Sequence, residues 1–158
     1  MRLFQATPED VPRMMGCAIS CCVEHGPERI GGVLNPRHYE SCWRQLLTAG
    51  AGAMFLYEDN GMVVGGIGGA KYPALLSGNT RVNQLFIYVL PEYRGKIPIR
   101  RLMICLEAWA AENDADDILM PLIETMPGAT RSVYERLGYR FLESTFRKKL
   151  RLHEKGGN

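Results

Sequence analysis

Nothing in this sequence approaches a membrane span, which needs about eighteen or more consecutive apolar residues. The opening residues, MRLFQATPED, also lack the basic-then-apolar pattern of an export signal. Cysteine offers no framework: there are five, an odd number, and no C-x-x-C pair. Reduced thiols and a cytoplasmic setting are therefore expected, with no membrane partner. Cys17, Cys21 and Cys22 fall on one predicted helix, with Cys21 four residues before His25, and read as small buried hydrophobes rather than as a metal site. Charge imbalance is missing too, since a net +2 gives no reason to expect a nucleic-acid partner. There is no internal repeat and no linker.

What is present is an ordinary globular composition of 158 residues, 46% hydrophobic and 23% charged. That length suffices for one domain with a real core. Residues 1–150 are expected to form it, and 151–158 a frayed basic tail. The cations are unevenly placed. Arg94, Lys96, Arg100 and Arg101 gather in one short stretch, and Arg147, Lys148, Lys149, Arg151 and Lys155 gather at the end. The second group suits a solvated edge strand protected by its charges. Such an edge leaves open the pairing of two copies into a homodimer.

Taken in order, Arg2 to Gln5 reads as a short strand. Thr7-Pro8-Glu9-Asp10 reads as a helix start, with proline at the first position and acids in the first turn. That helix fades near His25-Gly26-Pro27, and a loop runs to Asn35. Asn35-Pro36 opens a second helix that ends at Gly50. Ala53–Tyr57 and Met62–Ala70 read as strands joined through Asn60-Gly61, a strong hairpin signal. The second contains Gly65-Gly66-Ile67-Gly68-Gly69. With no helix after it, this run predicts a bulge or a close backbone approach, not a phosphate loop. Tyr72 to Arg81 reads as a loop. Later come a helix over Ile99–Glu112, a strand over Ile118–Ile123, a helix over Ala129–Leu137 capped by Gly138, and a last strand over Tyr139–Leu150. The order β-α-α-β-β-β-α-β-α-β gives an α/β (α+β) fold with a mixed, mostly antiparallel sheet.

One stretch stands apart, VNQLFIYVLPEYRGKIPIRR, from Val82 to Arg101. Leu85 to Leu90 is a continuous run of β-formers, predicting a strand buried on both faces. Pro91 ends it, Glu92 to Lys96 make a polar turn, and Pro98 suits the first position of the next helix. Strand, basic turn and helix N-terminus together collect free N–H groups, a positive dipole end and cationic side chains. That is a seat for a phosphate.

The same residues, Leu90-Pro91-Glu92-Tyr93-Arg94-Gly95-Lys96 before a helix, resemble the acetyl-coenzyme-A loop of the GNAT N-acetyltransferase superfamily. Ser132-Val133-Tyr134-Glu135-Arg136-Leu137-Gly138-Tyr139 is similar to that family's closing segment. The resemblance implies a GNAT-like domain whose central sheet is flanked by about four helices. It also implies acetyl-CoA as co-substrate and a small-molecule or protein amine as acceptor. The family's Arg-Gly-x-Gly-x-Gly reads Arg94-Gly95-Lys96-Ile97-Pro98-Ile99 here, and Pro98 has no N–H. The two isoleucines either turn into the core or crowd the pyrophosphate.

Acetyl transfer needs a held donor, a deprotonated amine, a stabilised oxyanion and a protonated leaving thiolate. The resemblance implies that Arg94, Gly95, Lys96, Ile97, Ile99 and Arg100 hold the pyrophosphate. It likewise implies that Tyr88 and Val89 line the pantetheine, with the Val89 N–H facing the oxyanion. Tyr134 matches the tyrosine that protonates sulfur, and a phenol of pKa ~10 is a workable acid toward a thiolate of ~8.5. Asn83 and Gln84 occupy the start of the central strand, where relatives often carry a glutamate, and are expected to touch substrate. Neither is a base. Glu124 is the substitute candidate, followed by Glu58. Two other readings stay open: a GNAT-fold binding module without catalysis, and an enzyme acting on a protein lysine or a nucleic-acid amine.

Overall fold

The computed structural model describes residues 1–27, 32–123, 125–126 and 128–148. Met1–Thr125 form one compact unit and Met126–Asn158 a second. The first is built on an open sheet of five strands in the order β1-β2-β3-β4-β5: Arg2–Gln5, Gly52–Asp59, Met62–Pro73, Thr80–Val89 and Asp117–Leu119. The first four pair antiparallel, and β5 joins β4 in parallel. Four α-helices accompany the sheet among the described residues: α1 (Met15–His25), α2 (Pro36–Thr48), α3 (Ile99–Glu112) and, in the second unit, α4 (Ala129–Arg136).

The first predicted helix is split. Pro12 lies inside it, and a mid-helix proline removes a donor and clashes with the preceding turn. Pro8–Met14 therefore wind as a 3-10 helix, closed at its start by Asp10 Oδ2 accepting from Thr7 N at 3.0 Å. Only from Met15 does the chain become α-helical. α2 begins as expected: Asn35 is its N-cap and accepts from His38 N at 3.2 Å, with Pro36 in the first turn. Pro98 proves to be the N-cap of α3 rather than its first residue.

The glycine run in β3 explains how helices reach both faces of the sheet. A Cβ on Gly68 would lie 2.5 Å from the Trp43 ring of α2, and one on Gly69 would lie 3.2 Å from Leu106 of α3. Successive strand residues point to opposite faces, so α2 covers one face and α3 the other. Val11, Met14, Cys17, Trp43, Met54, Leu56 and Tyr88 form the core on the α1/α2 side. A bulge, as expected from the glycines, falls between Gly68 and Gly69. Gly68 stands opposite Phe86 and Gly69 opposite Gln84, so Leu85 is the extra residue.

That bulge corrects the expectation of a strand buried on both faces, for Leu85 is 49% exposed. The last predicted strand is also corrected. Tyr139–Lys148 have no strand pairing, and Phe141, Leu142 and Phe146 along it are exposed. Alternating apolar residues form a strand only where a neighbour covers one face and pairs the backbone. The rest of that call, Lys149 and Leu150, lies outside the described residues, as does the tail at 151–158.

Candidate active site

β4 pairs with β5 only through Arg81, Val82 and Asn83. Beyond Asn83 no strand among the described residues covers that edge. Leu90 N donates to Val64 O of β3 at 3.0 Å, so alternation turns the N–H and C=O of Val89 away from β3, onto the open edge. Arg94 Nε donates to that Val89 carbonyl at 3.1 Å, which agrees with this orientation. The Val89 N–H is thus set on a stretch of backbone with no strand neighbour among the described residues, able to receive an extended amide chain.

The turn after β4 is short and tightly bonded. Pro91–Tyr93 form a 3-10 turn. Lys96 N and Ile97 N both donate to Tyr93 O at 3.1 Å. Gly95 has φ +80, a conformation that only glycine adopts freely, and it bends the chain toward α3. Among the amides expected to face a diphosphate, Lys96 and Ile97 are therefore turned to Tyr93, and Pro98 has none. The first-turn amides of Ile99 and Arg100 belong to the end of α3 that has no intrahelical acceptors. Ile97 is buried at 5% exposure while Ile99 is 41% exposed, so only the first isoleucine turns inward. Lys96 and Arg100 are exposed, and Lys96 Nζ lies 5.6 Å from the Tyr93 ring centroid.

Arg94 is engaged three ways. Besides Val89 O, its guanidinium pairs with Glu24 of α1 and lies over the Tyr88 ring, 5.4 Å from the centroid. Tyr88 donates its hydroxyl to the same Glu24 oxygen at 2.7 Å. The Arg94 hydrogen bond, reinforced by Tyr88, holds the Glu24 carboxyl below the usual range. Burial, with the carboxylate beside it, pushes the Tyr88 phenol well above the ordinary tyrosine value. His25, next in sequence, meets Tyr88 edge-on with ring centroids 6.3 Å apart, and its Nδ1 is enclosed without a partner. Sequence reasoning missed this group. Positions 24, 88 and 94 share no spacing pattern, and the only local signal was a polar pair, Glu24-His25, closing an apolar helix.

A pH effect follows from the depressed Glu24 carboxyl. In the window just below the ordinary carboxylate range the unfolded chain binds more protons there than the folded one. The stabilisation is therefore complete above that range and is lost as pH falls through the lowered value. Both partners are more than a third exposed, so screening limits the effect to about 0.2–1 kcal/mol. Urea midpoints measured on acidification should fall less steeply for Glu24→Gln than for the wild type.

The remaining expected residues are scattered. Gln84 stands opposite Gly69 and so shares the α3 face; it is 6% exposed and its Oε1 has no partner. Asn83, one residue earlier, points to the opposite, α1/α2 face. Glu58 is committed to Arg13 at 2.5 Å and to Arg2 at 3.6 Å. Glu124 lies outside the described residues. In the second unit Tyr134 is 8% exposed, packs against Tyr139 with centroids 5.7 Å apart, and has no partner for its hydroxyl. Burial raises its pKa, so it stays protonated at neutral pH. No group of three or more His, Cys, Asp or Glu among the described residues is placed to hold a metal. No helix among them is long and apolar enough to cross a membrane.

The fourth strand of the open sheet parts from its fifth and then runs through a basic turn into a helix. The sequence model of the Acetyltransferase (GNAT) family matches residues 21–139. The chain therefore belongs to the GNAT acetyltransferase family. Solved structures agree on the fold. A ribosomal-protein-alanine N-acetyltransferase from Brucella melitensis biovar Abortus 2308 is 17% identical, with a TM-score of 0.68 over 95% of this chain and 100% of that one. A predicted acetyltransferase with acetyl-CoA from Clostridium acetobutylicum is 14% identical, with a TM-score of 0.74 over 94% and 96%. An aminoglycoside acetyltransferase from an uncultured soil metagenomic sample, in complex with sisomicin, is 10% identical, with a TM-score of 0.71 over 95% and 96%. No curated protein matches the chain by sequence.

Proposed function

We propose that the chain is an acetyl-CoA-dependent N-acetyltransferase that moves an acetyl group onto a primary amine by direct attack on the thioester. The observation that carries this reading is the edge of β4 at Val89, which has no strand neighbour among the described residues and runs straight into the Gly95 turn and the start of α3. An added pantetheine arm would bond to that edge as a short strand, and the Val89 N–H would donate to the thioester oxygen as charge builds on it. The Ile99 and Arg100 amides, with the exposed Lys96 and Arg100 side chains, would take the diphosphate. Arg94 would add a third cation while tying the turn to α1. Tyr134 would give its proton to the leaving sulfur. The sisomicin-bound aminoglycoside enzyme among the similar structures favours a small-molecule amine as acceptor.

Free thiol released from acetyl-CoA across a panel of polyamines, aminoglycosides and alanyl peptides tests the reading. A binding module without catalysis would hold acetyl-CoA and release none. Lys96→Ala with Arg100→Ala should weaken acetyl-CoA about tenfold by isothermal titration. The gap to wild type should narrow as salt is raised, because exposed charges are screened over about 10 Å at 0.1 M. Equal affinities at low salt would remove both side chains from the diphosphate site.

A further inference from the structure

The reaction needs a group that takes a proton from the amine, and neither Asn83 nor Gln84 can. We propose that His25 is that general base, an inference that rests on the N-acetyltransferase reading above. His25 closes α1 and packs against Tyr88, the residue immediately before Val89. Its Nδ1 is enclosed and has no hydrogen-bond partner. With Nδ1 closed off, Nε2 is the ring nitrogen left to exchange a proton with a bound amine.

The neighbours leave the task to this ring. Glu24, on the same helix, is held ionised by Arg94 and Tyr88 and is a weak base at neutral pH. Tyr88, on β4, stays protonated and spends its hydroxyl on Glu24. Arg94, from the turn after β4, is a fixed cation. Cys21, one turn earlier on α1, has its thiol pushed up to about 11, chiefly by burial. Imidazole is the side chain whose unperturbed charge change falls between pH 5 and 8, where a base works best at neutral pH.

The protons balance. His25 Nε2 takes one proton from the acceptor ammonium and passes it to solvent. The freed nitrogen forms the C–N bond at the thioester carbonyl carbon and the C–S bond breaks. The sulfur takes the Tyr134 proton, and the second proton lost by nitrogen restores the phenol through solvent.

The test uses the full chain, acetyl-CoA at saturation and the amine that gives the fastest thiol release. His25→Gln should lower kcat/KM for the amine about 10²-fold at neutral pH. It should also move the acidic limb of the rate profile upward in pH, toward the amine's own ionisation, while acetyl-CoA affinity and Tm hold. A variant that keeps the wild-type pH profile overturns the inference and leaves the acetyltransferase reading standing. A wild type that releases no thiol with any amine overturns both. Should the variant not fold, nuclear magnetic resonance of the wild-type His25 ring serves instead. Its titration should coincide with the acidic limb of the rate profile, and a clear mismatch rejects His25.

Discussion

Tyr134→Phe should lower kcat at least tenfold, and up to about 10³-fold, without weakening acetyl-CoA binding or destabilising the chain. The second half of that expectation is the discriminating one. A tyrosine retained for its hydrogen bond loses stability when the hydroxyl goes. The Tyr134 hydroxyl is buried and unpartnered, so removing it discards an unsatisfied polar atom and should leave Tm level or slightly higher. Its raised pKa means the proton is present throughout the neutral range. A phenol that only packs beneath the coenzyme would give a variant with unchanged kcat. Single-turnover thiol release separates the two cases, because it reads the chemical step apart from product release.

Trp43→Ala should cost about 3–5 kcal/mol, a large share of the ~5–15 kcal/mol that holds a domain together. Trp43 is 3% exposed, meets Tyr39 and Phe86 edge-on, and lies on the bare backbone at Gly68. The missing side chain at position 68 is what lets the indole reach the sheet. Gly68→Ala alone should therefore cost about 1–3 kcal/mol through overpacking. In the Trp43→Ala background the same methyl enters the vacated space, and the double variant should be more stable than Trp43→Ala alone. Urea denaturation of the four chains checks this as a double-mutant cycle. Additive losses would mean that Trp43 and Gly68 do not share the space.

Much of this architecture was legible beforehand where local chemistry is decisive. Asn35-Pro36 set the start of α2, Asn60-Gly61 set the β2–β3 turn, and the bounds of α3 fall where Ile99 and Glu112 were expected. The strand-turn-helix around Gly95 could be read because proline, glycine and a β-former run each act within a few residues. The bulge was foreseen in β3 but not its effect on β4, where one unpaired residue exposes Leu85 and puts Asn83 and Gln84 on faces that no local pattern predicts. The last strand failed for a related reason, since pairing depends on a partner that the segment itself does not contain.

The sequence by itself determined the class of fold and the strand-turn-helix around Gly95, because turn chemistry and hydrophobic period are local properties. Only the tertiary structure decided which charges meet. Glu24 lies 64 residues from Tyr88 and 70 from Arg94 along the chain, and they come together because α1 packs beside the end of β4, beyond the point where the strand loses its parallel neighbour. Packing of one helix against one strand end, through Tyr88 and the apolar face of α1, chose those partners and left His25 beside them with a free nitrogen.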